Sequence, residues 1–176
     1  MKTRKRIDRF LEDAVVRFAH WISTTQWRGK ERDCVNRFAT DFLLPAVQPE
    51  AAIKNYSQIR IECGVPQPSC FTRPSCSKDL VIWRNPLDVA WDENWIPVTI
   101  PWVVMEWKTR RKGHFDEMFD EHDIHWLTEF SLQNPDAFGY AVTVDFRRSS
   151  RLVHCAKVSR GLVRVKRALA RTDNGG

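Results

Sequence analysis

An acid and a base close the most apolar stretch of this sequence: Met105-Glu106-Trp107-Lys108 follows Ile100, Trp102, Val103 and Val104. Unpaired charge is expensive to bury, so a covered segment ending in a carboxylate and an ammonium implies a partner or a ligand. On a strand, alternate side chains share a face, which puts Glu106 and Lys108 together with Cα atoms roughly 6.5 Å apart. Asp79 opens the preceding apolar run, Leu80-Val81-Ile82. Side-by-side pairing of the two strands would bring the Asp79 and Glu106 carboxylates onto one hard divalent cation, Mg²⁺ or, in substitution, Mn²⁺. The chemistry open to such a set is phosphodiester hydrolysis. The carboxylates hold the metal, which orients the phosphate and acidifies a water. Lys108 stabilises or helps generate the hydroxide and neutralises charge building in the transition state.

These residues need elements to position them. Ile7, Phe10, Leu11, Ala14, Val15, Phe18 and Ile22 recur with helical period, predicting an amphipathic helix ending near Thr24. A second helix is expected from about Lys30, with Val35, Phe38, Ala39, Phe42 and Leu43 on its apolar stripe and Pro45 at its end; Glu31 lies one turn before Val35 on that stripe. Tyr56 to Cys63 alternates as a half-buried strand, and Gly64 to Ser77 reads as a loop. Lys78 to Trp83 is a short strand. Val98 to Lys108 is the longest, apolar on both faces and so expected at the centre of a sheet covered on both sides. A helix follows, with Asp123 as its expected cap and Asn134-Pro135 as its stop. Phe138 to Phe146 is one more buried strand, and the basic tail is read as a strand or turn followed by a frayed helix. The order predicts an α/β sandwich around one mixed sheet.

At 176 residues and 43% hydrophobic content the chain suits a single domain. Its apolar stretches fall short of the ~20 residues of a membrane span, and the charged Met1–Arg9 segment precedes no signal-type apolar run, so no membrane partner and a cytoplasmic location are expected. Five cysteines without paired spacing, Cys34, Cys63, Cys70, Cys76 and Cys155, suit reduced thiols. The net charge of +6 is unevenly spread: Lys2, Arg4, Lys5 and Arg6 open the chain. Arg147, Arg148, Arg151, Lys157, Arg160, Arg164, Lys166, Arg167 and Arg171 crowd its last thirty residues, with no carboxylate before Asp173. A polyanion such as nucleic acid is the partner this implies, against a solvated basic surface that only aids solubility.

Asp79 followed by Glu106-Trp107-Lys108, in helix, strand, strand, strand, helix, strand order, resembles the PD-(D/E)XK nuclease superfamily over about residues 30 to 146. The resemblance implies a restriction-endonuclease-like fold, a mixed central sheet flanked by helices with core order α-β-β-β-α-β. Residues 1–29 would form an N-terminal helical extension and 147–176 a basic C-terminal one. It implies divalent-metal phosphodiesterase activity on nucleic acid, DNA favoured over RNA, with Asp79, Glu106 and Lys108 in the family's Asp, Glu and Lys roles. The family often adds a carboxylate from the helix before the first core strand, and Glu31 is the candidate for it. A homodimer is compatible, since nucleases that cut both strands often pair up. The sequence departs from the family pattern at Lys78, where the family name has proline.

Other residues carry weaker readings. The macrodipole favours any acid in a first helical turn, which is a purely structural reading of Glu31, and Glu62 reads as surface. His114, His122 and His125 among Asp116, Asp120 and Asp123 suit a solvated face better than a transition-metal site. Cys63, Cys70 and Cys76 would need a fourth ligand from elsewhere to hold zinc. Asp88 and Asp92 are spare carboxylates that could replace Asp79. Gln133 either touches substrate or helps end its helix, and Trp91 and Trp95 either stack on bases or pack into the core. Two functions compete with the nuclease: a nucleic-acid-binding module of the same fold without catalysis, and an adaptor or immunity factor using tryptophans and arginines as a protein interface.

Overall fold

The computed structural model describes residues 2–25, 27–88, 91–111, 117–147 and 151–168. His114, Asp116, Arg148, Arg171 and the helix expected beyond Ala168 lie outside them. The described residues form a mixed α/β structure: one six-stranded, mostly antiparallel sheet with three α-helices. Helix α1 (Lys2–Thr24) buries Ile7, Leu11, Ala14, Val15, Phe18 and Ile22 at helical spacing. Helix α2 (Glu31–Arg37) opens where the Asp33 carboxylate accepts from Lys30 N at 2.8 Å. It widens into a π-helical segment (Phe38–Leu43) and tightens into a 3₁₀ turn (Leu44–Ala46) that contains Pro45. In the widened segment Thr40 Oγ1 donates to Asn36 O, which diverts a carbonyl from the regular backbone ladder.

The strands run in chain order across the sheet: β1 (Ile59–Pro66), β2 (Ser75–Ile82), β3 (Val103–Arg110), β4 (Phe138–Asp145), β5 (Leu152–Ser159) and β6 (Leu162–Ala168). Neighbours are antiparallel except β3 and β4, which are parallel and joined through α3 (Glu121–Gln133). One face packs on α1, α2 and the π-helical segment: Leu80, Ile82, Val103, Met105, Trp107, Phe138, Tyr140 and Val142 all lie in that core. The other face packs on α3 through Val81, Val104 and Ala141 against Trp126, Leu127 and Phe130. Gly139 lets α3 approach this closely, because a Cβ there would stand 2.4 Å from Leu127 Cδ2 and 3.2 Å from Val104 O.

Four expectations change. The Gly64–Ser77 loop is shorter than expected: β1 continues to Pro66 and β2 begins at Ser75, because polar residues at a hairpin end still satisfy the ladder, which leaves residues 67–74 as the loop. The third strand begins at Val103 rather than Val98, since Pro101 has no N–H to pair. Asp120, not Asp123, caps α3, accepting from Asp123 N at 3.2 Å. The tail forms a hairpin: Arg160 and Gly161, at φ 53° and 73°, make the left-handed two-residue turn that matches strand twist, closed by Ser159 opposite Leu162.

Candidate active site at a fork in the sheet

β2 and β3 pair only briefly. The ladder links Leu80–Ile82 to Val103–Met105 and stops, while β2 stays with β1 as far as Ser75 and β3 stays with β4 as far as Arg110. The sheet therefore forks just beyond Leu80 and Met105, where Asp79 and Glu106 sit. Trp107 N, released from the ladder, donates to Asp79 Oδ2 at 2.7 Å, so the aspartate satisfies the backbone that the fork exposes. Asp79 N lies 3.5 Å from Glu106 Oε2. Trp107 anchors β3 from the opposite side, its ring 5.3 Å from that of Phe18 and 5.0 Å from that of Phe38. That anchoring commits Glu106 and Lys108 to the α3 side.

A switch of face in the outer strands completes the set. Ile61 and Leu80 point into the α1 and α2 core, yet Cys63 and Cys76 pack on the α3 side. Between them Glu62 adopts φ 50°, and the Glu62–Asp79 position is skipped in the ladder. The same switch carries Lys78 to the α3 side. Its ammonium lies 3.7 Å from the centre of the Trp126 ring and forms an ion pair with Glu106. Lys78 and Glu106 are 5% and 6% exposed.

Lys108 reaches outward from the fork, 3.1 Å from Asp123 Oδ2 and 3.7 Å from Glu31 Oε1. Four carboxylates, Glu31, Asp79, Glu106 and Asp123, thus surround two ammoniums, Lys78 and Lys108. Burial pushes the Glu106 carboxyl up to about 7, with Lys78 opposing the rise and Asp79 adding to it. Glu31 and Asp123 are also raised, first by burial; Asp79 and Asp123 reinforce the rise at Glu31, Asp120 does so at Asp123, and Lys108 opposes both. Burial alone would lower Lys108, but Asp123 and Glu31 outweigh it and hold the ammonium above its ordinary value. Lys108 is therefore a fixed positive charge, suited to stabilising an anion rather than to accepting a proton.

The donor set is all carboxylate oxygen, the chemistry a hard cation such as Mg²⁺ prefers, and fully ionised it carries two more negative charges than positive ones. Each of its carboxylates has an internal partner on at least one oxygen, and among the described residues no group of three or more His, Cys, Asp or Glu side chains is arranged to hold a metal ion. Lys78 stands against Glu106 where a cation would have to act. Two cavities flank the cluster, one of about 210 Å³ beside Lys108 and Asp120, the other of about 370 Å³ beside Lys78.

All four predicted site residues, Asp79, Glu106, Lys108 and Glu31, thus meet in one cluster. Sequence reasoning missed two members. Asp123 was expected as a helix cap but is 8% exposed and bound to Lys108; the acid three residues earlier, Asp120, was the available signal. Lys78 read only as a departure from a motif, and strand alternation would have sent it to the other face.

The remaining candidates serve the fold. Glu62 pairs with Arg32 at 3.0 Å on the surface. Asp88 accepts from Asn85, and Asp92 from Asn94 N and Ile96 N, each within its own loop turn. Gln133 accepts from Ser69 N and so ties the 67–74 segment to α3. The thiols of Cys63, Cys70 and Cys76 are free. His122 and His125 both lie against the Phe71 ring. Trp91 packs over Gly64, whereas Trp95 is 78% exposed.

Among the described side chains of the basic tail, three are internally engaged. Arg147 pairs with Asp145, Lys157 with Asp8, and Arg151 is buried, reaching Ile22 O at 3.4 Å, while Arg160 and Arg164 are exposed. Among the described residues no helix is long and apolar enough to cross a membrane. In comparisons with protein-family models, curated proteins and solved structures, the chain has no match, so its site is read from its own geometry.

Proposed function

We propose that this chain is a metal-dependent nuclease of the PD-(D/E)XK superfamily, with the restriction-endonuclease-like fold, hydrolysing phosphodiester bonds of nucleic acid, DNA before RNA. The observation that carries this reading is the fork between β2 and β3, which gathers Asp79, Glu106 and Lys108 at one point, with Glu31 from α2 beside them. The element order from α2 through β1, β2, β3, α3 and β4 supports the reading. Asp79, Glu106 and Glu31 would hold Mg²⁺ or Mn²⁺, which would supply charge neutralisation and an acidified water.

This chain's own residues do the rest. Asp79 braces the open end of the fork through Trp107 N. Lys108, kept protonated by Asp123 and Glu31, offers its ammonium to the charge that builds on phosphate oxygens. Lys78 neutralises Glu106, and a cation held at Glu106 would require that ion pair to open. That pair also favours a second reading, a nucleic-acid-binding module of the same fold without catalysis, in which Lys78 occupies Glu106 permanently.

A cleavage panel on single-stranded, double-stranded and branched DNA and RNA, with Mg²⁺ or Mn²⁺, separates the two. Cutting by the wild type is expected, with a loss of about 10²-fold or more in Lys108→Ala and Glu106→Ala. Binding to nucleic acid without cleavage of any substrate would establish the second reading instead.

A further inference from the structure

The cavity beside Lys78 differs in kind from the carboxylate cluster it adjoins. No acidic side chain lines it. Arg73 and His122, both exposed, stand at its rim, and the buried Lys78 ammonium forms part of its wall. Phe71 supplies an aromatic wall, braced by His122 at 5.9 Å and His125 at 5.6 Å between ring centres. Trp126 is committed elsewhere: Lys78 covers one face of its indole, Phe130 stacks on it at 4.8 Å, and its Nε1 donates to Gln67. The remaining lining combines the cations Arg73 and Lys78 with the ring of Phe71, which fits a phosphate ester carrying a planar ring. With a volume of about 370 Å³, the cavity has room for one such group.

We infer that this cavity is a nucleotide subsite, receiving one nucleotide of the substrate strand beside the bond to be cut, its phosphate against Arg73 and Lys78 and its base against Phe71. The inference rests on the nuclease reading for the word substrate, but the site itself stands on the cavity. Lys78 is shared between the cavity and Glu106.

The test is calorimetric titration of the full chain, without divalent metal, using thymidine 5′-phosphate, thymidine and inorganic phosphate, with a short oligothymidylate as competitor. Thymidine 5′-phosphate is expected to bind more tightly than either fragment, to weaken about tenfold in Arg73→Ala, as the loss of one charged hydrogen bond requires, and to be displaced by the oligonucleotide. Arg73 is exposed, so the variant should fold, and its circular dichroism checks that. Thymidine alone binding as well as its phosphate, or an unchanged affinity in Arg73→Ala, would overturn the site. Failure of the oligonucleotide to compete would overturn its assignment to a polymer. The two proposals fail separately: nucleotide binding without cleavage removes the nuclease and keeps the subsite, whereas cleavage with no nucleotide binding and an unaltered KM in Arg73→Ala removes the subsite and keeps the nuclease.

Discussion

The Glu106 carboxyl offers a quantitative check on the burial and pairing described above. Burial raises it from an ordinary value of 4.5 to about 7. The folded protein therefore binds more protons than the unfolded chain between these values, so stability rises as pH falls from about 7 toward 4.5 and is lowest above 7. At 1.36 kcal/mol per pH unit, the full cost of ionising the buried group is about 3 kcal/mol, most of which falls between pH 8 and pH 5. The comparison protein is the double variant Lys78→Met/Glu106→Gln. It removes both charges and leaves no orphaned buried ammonium, the usual reason a single replacement in a buried pair misleads. Urea unfolding followed by tryptophan fluorescence at pH 5, 6, 7 and 8 yields each unfolding free energy. Relative to the double variant, the wild type should gain about 2 to 3 kcal/mol on going from pH 8 to pH 5. Glu31, whose rise involves neither Lys78 nor Glu106, cancels in the difference; Asp123 cancels only in part, because the variant removes the opposing effect of Lys78 on it. Parallel stability profiles would refute the account, since they would mean that burial at Glu106 does not outweigh its ion pair with Lys78.

If Glu106 helps hold a divalent ion, Mn²⁺ or Mg²⁺ at a hundredfold excess over Kd should stabilise the wild type by about 2.7 kcal/mol at pH 8. The effect should fade by pH 5 as the carboxyl protonates; an equal shift in Lys78→Met/Glu106→Gln would place the ion elsewhere. Glu62→Gly should raise stability by about 0.5–1 kcal/mol in thermal unfolding, because it relieves a left-handed non-glycine residue and gives up only an exposed ion pair with Arg32. A loss of stability would show that Glu62 is not strained. Gly139→Ala should cost about 1–3 kcal/mol, as the new methyl meets Leu127 and the Val104 carbonyl; a neutral result would mean that α3 can lift off β4 without penalty.

What local chemistry dictates was legible in the sequence. The helical period of Ile7 to Ile22, the double-faced apolar run before Glu106 and the alternation that aligns Glu106 with Lys108 depend only on neighbours along the chain, and so did the choice of Asp79, which heads its apolar run. Only the tertiary structure decided where β2 parts from β3, that both β1 and β2 change face at Glu62 and Asp79, and hence that Lys78 reaches Glu106 and Trp126. It also decided that Asp123 turns inward to Lys108 while Asp120 caps α3, and that three of the described cations of the basic tail are spent on Asp8, Asp145 and the α1 terminus. The physical reason is the same in each case. Pattern records which face a side chain would take in a regular element, whereas a fork, a left-handed residue or a distant counter-ion changes that face, and those depend on contacts between segments far apart in the chain.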